Sequence, residues 1–202
     1  MGRTSLPPAS RRTDRYDSAV ANIEGKATAI TVLTPVRPGG AGLMSLVFWA
    51  GRNVKATLRK LRELSFIHFA RWAVIRRFPD AGPGERLGHS YLLFESNFNG
   101  TWDQYIDAFS EVVPWRMRAI WATSYGFPGP LPVEPFKDYI RRNEFIANHY
   151  WSAYPGATTT EIVSAGHVEA ALQELCRRAR SLDPDAFRAA YNDFLASIQG
   201  DL

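Results

Sequence analysis

An α+β fold follows from three features of this 202-residue sequence. Residues 66–76 and 90–98 both alternate with period two and are joined by a loop rich in proline and glycine. A helix with its own start signal follows the second of them. A third strand, rich in β-branched residues, comes before both and is separated from them by a stretch of helical pattern.

In chain order, residues 1–24 read as a flexible tail. MGRTSLPPASRRTDRYDS carries paired arginines with no hydrophobic region behind them, so it is not a secretory or twin-arginine signal. Gly2 lacks a Ser or Thr at position 6, so the myristoylation pattern fails. A cytoplasmic location is the expectation. KATAITVLTPV, Lys26 to Val36, is the first strand, closed by Pro35 and the Pro38-Gly39-Gly40 turn. Leu43 to Leu64 turns helical, with Leu58, Leu61 and Leu64 as an apolar stripe. Its greasy start, LMSLVFWAG, joined to the basic RNVKATLRKLR, also suits a membrane surface, but packing on the sheet is the stronger expectation.

FIHFARWAVIRR opens the hairpin. Phe66, His68, Ala70, Trp72 and Val74 share one face; Ile67, Phe69, Arg71, Ala73 and Ile75 share the other. Both faces are largely apolar, which predicts that both are covered. PDAGPGERLG is the connecting loop. In the partner strand, Leu92, Phe94, Ser96 and Phe98 oppose Tyr91, Leu93, Glu95 and Asn97. Thr101 and Gln104 then match a capping box, with Trp102, Tyr105, Ile106 and Phe109 at helical spacing behind it.

Pro114 ends that helix, and a second runs from Trp115 to Tyr125. Pro135 opens a third, PFKDYIRRNEFI. Residues 148–154, containing HYWSAY, read as a short aromatic strand. Thr158 to Thr160 cap a helix running to about Ser181, and Asp183 caps a last one with Pro184 at its first position. With the extra helices set aside, the order is β-α-β-β-α-β, the ferredoxin-like split motif with additional C-terminal helices, in one domain over 25–202. Helices cover one face of such a sheet. The other face asks for a cover, which predicts a homodimer.

Composition narrows the chemistry. Aromatics make up 13% of the chain, which fits a core rich in rings or a pocket for a flat, greasy ligand. The single cysteine, Cys176, excludes an intrachain disulfide and reads as a buried thiol on a helix. The net charge of +4 is scattered over Arg11-Arg12, Arg76-Arg77, Arg141-Arg142 and Arg177-Arg178, without an aromatic platform between them, so nucleic acid is not expected. No two histidines have zinc-site spacing, and no metal is expected. G-x-S-x-G, Walker and G-x-G-x-x-G motifs are absent.

The candidate site gathers at the strand ends. His68 is either a satisfied structural histidine or a base. Arg71 and Glu95 each interrupt an apolar strand, as a structural ion pair or as an anion-binding guanidinium with a carboxylate that orients it or moves a proton. Asn97 and Asn99 offer amides near a helix start, although Asn99-Gly100 also suits a plain turn. Trp72 and His149 complete the set as ligand contacts. The expected activity is metal-free proton transfer on an apolar or aromatic small molecule, with no cofactor; haem is the alternative cofactor, and a docking or membrane-surface module the alternative role.

TAITVLTPVRPG, FIHFARWAVI, LLFESNFNG with its aromatic helix, GFPG and YWSAYP together resemble bacterial proteins of the dimeric α+β-barrel superfamily, which includes the dye-decolourising peroxidases. The resemblance spans roughly residues 27 to 175. It implies the ferredoxin-like fold. The peroxidases' GxxDG haem motif is absent, and Asn97-Phe98-Asn99-Gly100 lacks its acid.

Overall fold

The structure is a computed structural model that describes residues 22–53, 64–79, 82, 84 and 87–201. The end of the first predicted helix, parts of the PDAGPGERLG loop and the first 21 residues lie outside them. The chain forms two compact units, Met1–Gly156 and Ala157–Leu202.

The first unit is α+β. Among the described residues its strands are β1 (Ile23–Glu24), β2 (Ala27–Val36), β3 (Ile67–Ile75), β4 (Ser90–Asn99) and β5 (Glu144–Phe145). All pairings are antiparallel. The order is β1-β2-β4-β3, with β5 also paired to β2. The helices among the described residues of this unit are α1 (Gly40–Asn53), α2 (Trp102–Val112), α3 (Pro114–Trp121) and α4 (Val133–Asn143).

Alternation assigns the two faces of the sheet. Thr28, Ile30, Val32, Thr34 and Val36 of β2 and Leu92, Phe94, Ser96 and Phe98 of β4 are buried. The helices lie on this side, and most of the rings meet here. Phe98 stacks on Tyr105 of α2 with centroids 4.0 Å apart. Phe94 stacks on Trp72 at 5.2 Å and meets Trp121 of α3 edge-on at 5.3 Å. Trp121 in turn meets Phe136 of α4 at 6.2 Å. Phe48 of α1 reaches Trp72. Much of the aromatic content is therefore core, where each ring contributes burial plus edge or stacking geometry.

Among the described residues, the opposite face of β2, β4 and β3 carries no helix contact of this kind. Phe69 there is 49% exposed. Among the described residues of a single chain, helices cover only the other face of the first hairpin strand. The apolar residues on this side are mostly half-buried.

Three other expectations change. Residues 148–154 are irregular, and the fifth strand is the two-residue β5 instead. The cause is competition for one edge. β1 takes Ala27 and Thr28, Ser124 bridges to Val36, and β5 pairs with Thr31 and Val32 between them. The following chain is held by single bonds, Ala147 N to Asn22 Oδ1 at 2.8 Å and Lys26 N to Pro155 O at 2.7 Å. Ile23 and Glu24 belong to the sheet rather than to a tail. Finally, α3 stops at Trp121 because Thr123 to Tyr125 turns back on the end of β2: Arg37 N bonds Thr123 O and Tyr125 N bonds Pro35 O.

The second unit is a pair of helices, α5 (Thr159–Ala179) and α6 (Pro184–Ile198), ending in a short 3-10 turn. Both start signals hold. Thr158 and Glu161 form a capping box, and Asp183 accepts from the N–H groups of Asp185 and Ala186. Cys176 is exposed, not buried; Leu175, one residue or about 100° earlier, takes the buried position. Among the described residues no helix is long and apolar enough to cross a membrane.

Candidate functional site

The open sheet face is built by register. Arg71 of β3 stands opposite Glu95 of β4, and Glu95 opposite Thr31 of β2. Phe145 of β5 extends the row beyond Thr31. The next row is Phe69, Asn97 and Ala29; on the other side come Ala73, Leu93 and Leu33. Side chains on one row share a face, so Arg71 and Glu95 sit together halfway along the edge strand β3 and its neighbour β4, with apolar neighbours in the rows on both flanks. The Arg71 guanidinium Nη2 donates to Glu95 Oε2. The pair is solvent-reached, with side chains 65% and 27% exposed.

Asn97 adds an amide to this face and holds the segment after β5 against it. Its Nδ2 donates to the Tyr150 hydroxyl at 2.9 Å. Burial raises the Tyr150 hydroxyl above its ordinary range; the Asn97 bond opposes that rise and the charge of Glu24 adds to it. Tyr150 escaped the sequence reading of a site, although it lies within HYWSAY. A row of half-polar residues on the odd face of β4 was the available signal.

The other predicted site residues go elsewhere. Trp72 is adjacent to Arg71 and therefore points to the opposite side, into the ring core. His68 falls in the register shift between Ile67 and Phe69, and its Nε2 is buried with no hydrogen-bond partner among the described residues. Asn99 spends its amide on Lys26 O at 2.9 Å, closing the β1–β2 turn. His149 is exposed in the irregular segment before Tyr150. The site thus brings together Arg71, Glu95 and Asn97, on the face away from the helices. No group of three or more His, Cys, Asp or Glu able to hold a metal occurs among the described residues.

A second constellation lies on the helix side. Lys137 of α4 is buried, with Nζ 2.8 Å from Asp107 Oδ1 and 3.2 Å from Asp103 Oδ1. The Asp107 bond raises its affinity for its proton, more than burial lowers it. Arg141 Nη2 reaches Asp103 Oδ1 at 3.0 Å and lies 4.4 Å over the Trp102 ring. Trp102 Nε1 donates to Glu144 Oε2 at 3.0 Å. Burial pushes the Glu144 carboxyl up from 4.5 to about 7, against the opposing pulls of Trp102 and Arg141. Glu144 is therefore a proton-exchanging carboxyl near neutrality. It is paired with Val32 in the sheet and so faces the helices.

Comparison with protein-family models, curated proteins and solved structures finds no match to this chain.

Proposed function

We propose that the chain binds a small apolar or aromatic molecule on the open face of its sheet, and that a second copy closes this face to make a dimeric α+β barrel. The observation that carries the reading is the Arg71–Glu95 pair, solvent-reached halfway along β3 and β4 between Phe69 on one flank and Ala73, Leu33 and Leu93 on the other. A sheet face of this composition combines area for an apolar body with a few fixed polar groups for orientation. The ferredoxin-like order is supported by β5 lying against β2, and β2 against β4. Glu95 is the proton acceptor of such a site, with Arg71 as its orienting partner and Asn97 and Tyr150 as the polar edge.

The test has two readings on one sample. Light scattering at micromolar protein should give about twice 22.7 kDa. An apolar fluorescent probe such as anilinonaphthalene sulfonate should bind saturably to the wild type and weakly to Leu93→Glu. A monomer that binds no probe would end this reading.

A further inference from the structure

At one end of the sheet lies a cleft of about 270 Å³, where β2 ends and β4 begins. Its lining includes Val36, Arg37, Gly39, Arg76, His89 and Ser90. This volume is close to the lower end of small-molecule sites and exceeds what a single ion needs. Its chemistry is one-sided. Arg37, Arg76 and His89 are three cationic or potentially cationic groups, and no described lining residue is acidic. Neither arginine makes an ion pair among the described residues.

The three side chains are also held in place. Arg76 Nη2 donates to Ala41 O at 3.0 Å and to Ser45 Oγ at 2.9 Å, which fixes one prong of its fork and leaves the others. Tyr125 steadies the other two. The Arg37 guanidinium lies 5.8 Å over the Tyr125 ring, and the His89 ring meets the same ring edge-on at 5.4 Å. Arginines that only solvate a surface do not need such anchors. Like charges gathered around a concavity repel one another and leave a field that an anion would neutralise.

We propose that this cleft binds a phosphate-like oxyanion through Arg37, Arg76 and His89. Arg37 brings a whole guanidinium fork and Arg76 its remaining Nε and Nη1 donors, which suits the multiple acceptors of such a group. The rest of the cleft has room for part of the molecule that carries it. Two sources share this chemistry, a soluble phosphorylated or carboxylated metabolite and an anionic lipid headgroup. The second arises because α1, which starts beside the cleft, exposes Leu43, Leu46 and Trp49.

The probe is inorganic phosphate, added to the full chain at low salt and followed by amide chemical shifts. Saturable shifts confined to Gly39, Gly88, His89 and Ser90 are expected. Arg37→Gln and Arg76→Gln should each weaken the binding by about tenfold, because each removes one of the positive charges facing the cleft. Among the described residues the Arg37 side chain makes only a ring contact, so its variant tests the cleft even if changes at Arg76 disturb α1. A parallel arm compares sedimentation with phosphatidylcholine vesicles with and without phosphatidic acid. Binding to the acidic vesicles alone, lost in Arg37→Gln, supports the same site with a lipid source. Shifts that never saturate, or that persist unchanged in both variants, overturn the proposal, as does vesicle binding indifferent to Arg37.

Discussion

Glu144 gives the sharpest quantitative test of the structure. Its carboxyl sits half-buried between β2 and α2, with Trp102 Nε1 donating to it, Arg141 nearby, and Asp103 bound to that arginine. Folded, it holds its proton up to about 7; unfolded, it releases the proton near 4.5. The folded state therefore binds more protons between those two values. Stability from this group is fully present below 4.5 and is lost as pH rises through about 7. At about 1.4 kcal/mol per pH unit, the loss reaches up to about 3 kcal/mol. Partial solvent access makes that figure a ceiling. Glu144→Gln removes the charge at every pH and keeps an acceptor for Trp102. Wild type and variant should unfold at the same temperature near pH 4.5, the ordinary value of this carboxyl. Above about pH 8 the glutamine variant should be more stable, by roughly 6–12 °C at the ceiling. The assay is thermal unfolding by tryptophan fluorescence across that range, read as the difference between the two proteins so that other titrating groups cancel. A difference that does not change with pH would refute the buried, proton-holding Glu144. A variant less stable than wild type at high pH would do the same, and would mean that ionised Glu144 pairs with Arg141.

Four further outcomes follow from the same geometry. Arg71→Gln should cost less than about 1 kcal/mol in urea unfolding at concentrations where light scattering shows a monomer, because the Arg71–Glu95 pair is solvent-reached in the single chain; a cost of about 3 kcal/mol or more there would show the pair buried within one chain. Tyr150→Phe should cost about 1 kcal/mol by losing the Asn97 bond, and should increase amide exchange in 146–155. Phe94→Ala, which removes a ring touching Trp72, Phe109 and Trp121, should cost about 3–5 kcal/mol. Cys176 should react with a thiol reagent in the native protein at the rate of an exposed cysteine, since its side chain lies on the surface of α5.

Local signals carried most of the fold and little of the site. β2, β3 and β4 lie where period-two patterning puts them, within a residue at either end. Both capping boxes and the Asp183 cap are short-range bonds between neighbours in sequence, so they are visible without tertiary context. The hairpin also makes Arg71 and Glu95 partners as soon as its register is set. What failed was competition and distance. Nothing within 148–154 says that β1 has already taken part of the β2 edge, and nothing near Glu144 says that Trp102, forty-two residues away, will bury it. The sidedness of the site, however, was readable. Arg71 and Trp72 are consecutive in a strand, so one face cannot hold both. Applied strictly, that parity places Arg71, Glu95 and Asn97 with Phe69 and Ala73, and it sends Trp72 to the rings of the core. The same rule would have put His68 beside Trp72, but the irregularity between Ile67 and Phe69 breaks the count there. A strand bulge is where alternation stops being evidence about direction. The polar row on the open face rests on residues beyond that break, and its grouping does not depend on how His68 is turned.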